Sequence, residues 1–142
     1  MIDEIYTTLT NDSTLMSALA GGLYKASVVS MISRQNTPNA FDSSGEILPC
    51  GLLKLESSVP TPPHYTGSSR YMLVYLYERF GYSSVSTALK RIFDLVHRTS
   101  FAISEGDGLW RIDWAGDVLD SWDDALGCSL ITSRYVGYIR RG

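Results

Sequence analysis

Cysteine and histidine are almost missing from this chain of 142 residues, which holds two of each. Cys50 and Cys128 stand in apolar, strand-like surroundings with no Cys-x-x-Cys or Cys-His spacing. That pattern points to buried free thiols rather than a disulfide framework or a zinc site. Nucleophilic catalysis needs a base oriented by a third group, and neither His64 nor His97 lies in a motif that supplies one. Glycine-rich phosphate loops of the G-x-x-x-x-G-K or G-x-G-x-x-G kind do not occur, so nucleotide binding has no support. No apolar run approaches the roughly 20 residues that a membrane-spanning helix needs. Met1 is followed by Asp3 and Glu4 instead of a basic segment and an apolar run, so the expectation is no export signal and no membrane partner. Basic residues do not dominate either: 12 Lys and Arg stand against 15 Asp and Glu, for a formal net charge of -3. Gripping nucleic acid is therefore not the expected task, because that affinity comes largely from cations neutralising phosphates.

What the chain does have is core-forming material. Hydrophobic residues make up 44% and charged residues 19%, and a chain of this size hides roughly 68–70% of its unfolded surface on folding. With no internal repeat and no separate linker, residues 1–142 are expected to form one domain. Ile2, Ile5 and Leu9, then Leu15, Met16 and Leu19, follow a helical stripe interrupted by Asn11-Asp12-Ser13, a good cap cluster. This predicts one broken helix or two short ones, stopped by Gly21-Gly22. A short strand is predicted at Lys25 to Ile32, then a surface loop at about 33–46. Leu48 to Glu56 and Arg70 to Phe80 read as strands. In the second, Met72, Val74 and Leu76 alternate with Tyr71, Leu73, Tyr75 and Tyr77, as in a central strand covered on each side. Between them, about 57–69 is a proline-rich loop too long for a tight turn. Ser84 to Thr99, after a Ser83-Ser84 cap, carries the strongest helical stripe: Val85, Ala88, Leu89, Ile92, Phe93 and Val96. Leu109 to Ala115 and Cys128 to Arg140 are two more strands. The reading is an α+β fold: a mostly antiparallel sheet of four to five strands with two main helices packed on it.

Several residues invite chemistry. Glu105, Asp107, Asp113, Asp117, Asp120, Asp123 and Asp124 form a carboxylate cluster, but their spacing does not match a D-x-D-x-D-G calcium loop, and a solvated acidic edge is the better reading. His97 falls near a helix end, where a protonated imidazole suits the dipole. His64, beside Pro62 and Tyr65 in the proline-rich loop, reads as a contact residue. Of three tryptophans, Trp110 and Trp114 alternate with polar residues and should face a core, while Trp122 among aspartates in a loop is a candidate interface anchor.

In this order the elements resemble the tail terminator, or tail completion, family of long-tailed bacteriophages. The resemblance runs over most of the chain. It takes in the step Gly22-Leu23-Tyr24 after an N-terminal helix, the strand entry Leu48-Pro49-Cys50 and the long strand Tyr71 to Tyr77. It continues through the helix Ser83 to Arg98, the strand Trp110 to Trp114, the acidic turn Asp117 to Asp124 and the closing strand Cys128 to Tyr138. The loops at 33–46 and 57–69 depart from a minimal version of that pattern.

The resemblance implies a structural, non-enzymatic virion protein of the tail or neck, assembled in the host cytoplasm without a cofactor or metal. It implies a homo-oligomer, a hexameric ring that caps the tail tube, ends its polymerisation and meets the head-tail connector, with double-stranded DNA passing through unbound. Candidate contacts with neighbours are Pro62, His64, Tyr65, Trp122, Arg140 and Arg141. Asp117, Asp120, Asp123 and Asp124 would face the channel or a basic partner. Rival readings are a head-completion stopper or adaptor of the same neck, a small hydrolase or metal enzyme using the acidic stretch, and a small-molecule module, which would need a deep apolar pocket.

Overall fold

A computed structural model describes residues 1–60, 67–102 and 107–141, with side chains described for 1–56, 68–100 and 111–138. Chain order is α1 (Ile2–Thr10), α2 (Ser13–Ala18), β1 (Leu23–Lys25), α3 (Ala26–Val29), β2 (Cys50–Pro60), β3 (Gly67–Glu78), α4 (Ser83–Val96), β4 (Phe101–Ala102), β5 (Asp107–Asp123) and β6 (Cys128–Arg141). The six strands form one sheet in the order β1-β2-β3-β6-β5-β4. All neighbours pair antiparallel except β1 and β2, which are parallel. The α+β class, the mainly antiparallel sheet and the two main helical regions match the sequence reading. The count rises to six because β1 and β4 are edge strands of three and two residues, too short to leave a period in the sequence.

One face of the sheet is closed by helices. Ile5, Leu9, Leu15, Leu19, Val85, Ala88, Ile92 and Val96 pack on Leu53, Met72, Val74, Leu76, Ile112, Ile131 and Tyr135, and all are buried. The break between α1 and α2 falls where the cap cluster put it: Asp12 accepts from the Leu15 backbone N–H at 2.9 Å and takes the Arg91 guanidinium as a fork at 2.7 and 2.8 Å. One carboxylate thus caps α2 and ties it to α4. The Arg91 hydrogen bond holds the Asp12 carboxyl down to about 2.

The opposite face is covered, among the described residues, at one end. Ile32, Ala40, Ile47, Cys50, Leu52, Tyr77 and Cys128 form a second, smaller core beneath the segment 26–48. Both thiols are buried and free, as expected. A disulfide between them is also excluded by topology: β3 lies between their strands, so the Cα atoms stand about 10 Å apart at the usual strand spacing, beyond the roughly 7 Å limit. Farther along this face Tyr71, Leu73 and Tyr75 are only half-buried. The strand expected to be covered on each side is therefore covered fully on one.

Four boundaries differ from the sequence reading. Lys25 to Ile32 is not a strand: β1 ends at Lys25 and the apolar run Ala26–Val29 forms a helical turn, ended by Ser30 at φ 66°. The stretch 57–69 is not all loop, because β2 and β3 continue as a paired arm through Val59↔Ser69 and Pro60↔Ser68. Proline is tolerated there because it lies on an edge strand. The residues 61–66 at its tip, with Pro62, His64 and Tyr65, lie outside the described residues. The Ser83-Ser84 cap is replaced by Glu78 at the end of β3, whose buried carboxylate accepts from the Ser84 N–H at 3.2 Å. Lastly, the acidic stretch is not a turn: β5 runs on to Asp123 and only residues 124–127 reverse the chain.

Candidate assembly surface

Aspartate and glycine favour turns on local grounds, yet the acidic stretch is a strand. It stays extended because the partner β6 is a long, well-paired strand that offers it a continuous ladder. The excess residues are absorbed as register shifts between Leu109 and Arg111, Trp114 and Gly116, and Val118 and Ser121. Such bulges bend a strand and re-aim its side chains. Gly116 sits at φ 121°, a conformation open essentially to glycine, and Asp120 sits at φ 53°, which aspartate tolerates.

This geometry divides the predicted acidic group. Asp117, itself exposed, accepts from the Trp114 indole Nε1 at 2.9 Å and from the Ser133 hydroxyl at 2.6 Å. Asp123 accepts from the Leu126 N–H at 2.8 Å and closes the turn. Those two carboxylates hold the strand in shape. Asp120 and Asp124 are exposed and free to meet a partner. Trp122 is in strand β5 rather than in a loop, and it is 50% exposed. Trp114, expected in the core, is 44% exposed, with its ring edge-on to Phe93 at the helix α4 margin. The Trp110 side chain lies outside the described residues. Arg140 and Arg141 end β6, opposite Gly108 and Asp107, and their side chains likewise lie outside.

Sequence reasoning missed Val118 and Leu119, which are 59% and 56% exposed beside Trp122 and Asp120. Apolar residues inside an acidic run were the available signal. Sequence reasoning placed His97 near the helix end, and the structure agrees. This residue caps the C-terminus of α4, yet its ring stacks on Phe93 at 4.6 Å and its Nδ1 accepts the Trp114 backbone N–H at 2.9 Å. These contacts tie α4 to β5.

Among the described residues, the outer edge of β5 is open along half its length. β4 pairs only at Gly108 and Leu109, and residues 97–99 take up the outward backbone groups of Ile112 and Trp114. From Gly116 to Asp123 no described strand lies alongside. At the other side of the sheet β1 pairs with Gly51, Leu52 and Leu53 of β2, and no described strand lies on that side of Lys54 to Pro60. Lys54, Leu55 and Glu56 are exposed there. On the bare face beside them Arg134 lies 4.0 Å over the Tyr71 ring and bonds Glu56 at 3.2 Å. An open cleft of about 430 Å³ between α2 and the start of α4 is lined by Thr14, Ser17, Ala18, Ser83, Ser84 and Thr87. These small, mostly hydroxyl-bearing walls are unlike a deep apolar ligand pocket.

No known family model matches this chain, and a comparison with curated proteins finds no match. Among solved structures it is similar to a chain in the virion of a native gene transfer agent particle, with a TM-score of 0.66 and 10% identity. The likeness covers 97% of this chain and 92% of that one. At that identity what the two share is the fold, over nearly the full length of each.

Proposed function

We propose that this protein is a structural, non-enzymatic component of a phage-like particle, working as a ring of identical copies. The ring would cap the tail tube, end its polymerisation and join the tail to the head connector, as the resemblance to tail terminators implies. One observation carries the reading: the fold agrees almost end to end with a chain from a gene transfer agent virion. The surface supports it, because the large exposed side chains Trp122, Leu119 and Val118 share one sheet edge with Asp120. Aromatic anchors in a polar setting are typical of binding surfaces. Exposed ion pairs contribute only about 0–1 kcal/mol each, so apolar contact would supply most of the affinity.

Mass measurement of the protein alone and after mixing with purified tail tubes tests the proposal. The expected result is a multiple of the 142-residue mass bound at one end of each tube, and tubes of fixed length when the protein is supplied during polymerisation. Binding to heads before tails, with no effect on tube length, would replace the terminator role by that of a stopper. A single copy per particle would end the ring reading.

A further inference from the structure

The sheet has two unfinished edges at opposite ends, and they are not level. Register carries Val118 through Thr132 and Tyr75 to Leu52, and Ser121 through Leu130 and Tyr77 to Cys50. The open stretch of β5, Gly116 to Asp123, is therefore level with the part of β2 that β1 already covers. The open stretch of β2, Lys54 to Pro60, lies about five residues farther along the strands, level with the part of β5 that β4 and residues 97–99 cover. Each short strand blocks the half of an edge that a level neighbour would use. Only a staggered neighbour finds both edges free.

The geometry points to a second copy of this chain as the occupant, with β5 of one subunit pairing antiparallel to β2 of the next through Gly116–Asp123 and Lys54–Pro60. This rests on the ring reading above and adds the seam. Three observations favour it. Successive strands β2, β3, β6 and β5 alternate in direction, so continuing the sheet places β5 against an antiparallel partner, the stronger ladder. The two edges are complementary: in that pairing exposed Leu55 falls opposite exposed Trp122, and Lys54, which has no carboxylate partner among the described residues, falls opposite Asp123. A front that meets a different back is heterologous, and such contacts close into rings when the rotation permits.

The stagger has the size that closure needs. Five residues at about 3.4 Å give a rise of ~17 Å, and four strands at about 4.8 Å give a width of ~19 Å. Their ratio corresponds to a strand tilt of about 42°, inside the roughly 35–45° of closed barrels. The sense follows from the β3–α4–β5 crossover, which joins two parallel strands of one sheet and takes the right-handed form. Seen from the helices with β2 running upward, the order from left to right is then β5, β6, β3, β2, and the copy to the right sits higher. Strands then coil right-handed about the axis with the helices outside, in keeping with the right-handed twist of strands. The bare face carrying Lys54, Tyr71, Tyr75, Thr132 and Arg134 would line the channel, with the segment 26–48 at one mouth.

Cysteines at Leu55→Cys and Trp122→Cys, which the seam sets opposite each other, test it, because native Cys50 and Cys128 are buried and do not compete. Under mild oxidation, with and without tail tubes, the double variant is expected to give a covalent series ending in one closed species. Either single variant should stop at traces of dimer. A ring seen by mass in the wild type, with no cross-linked series from a double variant that folds and assembles normally, would overturn the seam and leave the ring reading standing. No oligomer under either condition would remove both.

Discussion

Strands β3 and β5 lie on either side of β6, and the contrast between them separates what holds the protein together from what it shows to others. β3 pairs with β6 at twelve consecutive positions without a shift, and Met72, Val74 and Leu76 are fully buried beneath the helices. β5 pairs with the same partner through three register shifts and a positive-φ aspartate, and it exposes Trp114, Val118, Leu119 and Trp122. An irregular edge strand is a poor template for arbitrary partners. Irregularity on one side of β6 and regularity on the other therefore place stability and recognition on different strands, and substitutions should separate the two.

The largest effect is expected in β3. Leu76→Ala leaves a cavity between α4 and the sheet, where Leu76 is wholly buried, and should cost about 2–5 kcal/mol in denaturant unfolding. A loss below 1 kcal/mol would mean that the helix-covered face is not the main core.

The same central region should make the protein sensitive to alkali. Burial raises the Tyr77 and Tyr135 hydroxyls, and it pushes the Cys50 thiol up to about 12 and Cys128 up to about 11. Each is an acid held neutral in the folded state, so above its unfolded value the unfolded chain binds fewer protons than the folded one. That contribution is intact below about pH 8.5 for the thiols and about pH 10 for the tyrosines, and it is lost as pH rises through the folded values. The urea midpoint should fall steadily from pH 8.5 upward, with a shallower fall in Tyr77→Phe. A midpoint flat to pH 11 would contradict the burial of these groups.

In β5 the corresponding experiment is Gly116→Ala. Nothing lies within 4 Å of the added Cβ, so the cost is backbone strain alone at φ 121°, about 1–3 kcal/mol. Loss of assembly beyond what that destabilisation explains would indicate that the bulge shapes the open edge.

The same contrast explains what could be read from the sequence. β3 and α4 announce themselves because burial on a fixed face imposes a period of two or 3.6 on residues such as Met72, Val74, Leu76 and Val85, Ala88, Ile92. β5 does not, since each bulge resets its alternation and its Asp and Gly residues favour turns on local grounds. Only β6, far along the chain, makes an extended state worthwhile there. The cap of α4 was misplaced for a similar reason: Glu78 reaches it from a neighbouring strand, while Ser83 and Ser84 are merely nearby. The division of the acidic residues into Asp117 and Asp123, whose carboxylates take hydrogen bonds from nearby groups, and Asp120 and Asp124, which are exposed without them, depends on register, which single-residue patterns do not encode.

The smallest effect on stability should come from the most exposed apolar residues of β5. Val118 and Leu119 project from an edge with no described strand beside it, so Val118→Ser and Leu119→Ser remove little buried area. Each should shift unfolding by less than about 0.5 kcal/mol. If the edge is a seam between copies, the same substitutions should lower assembly sharply, because contacts worth nothing to the monomer become desolvated in the ring. Measuring the unfolding midpoint and the assembled mass on the same samples separates the two quantities. Intact folding with lost assembly would assign this stretch of β5 to recognition, whereas parallel losses in both would make it part of the core and erase the distinction from β3.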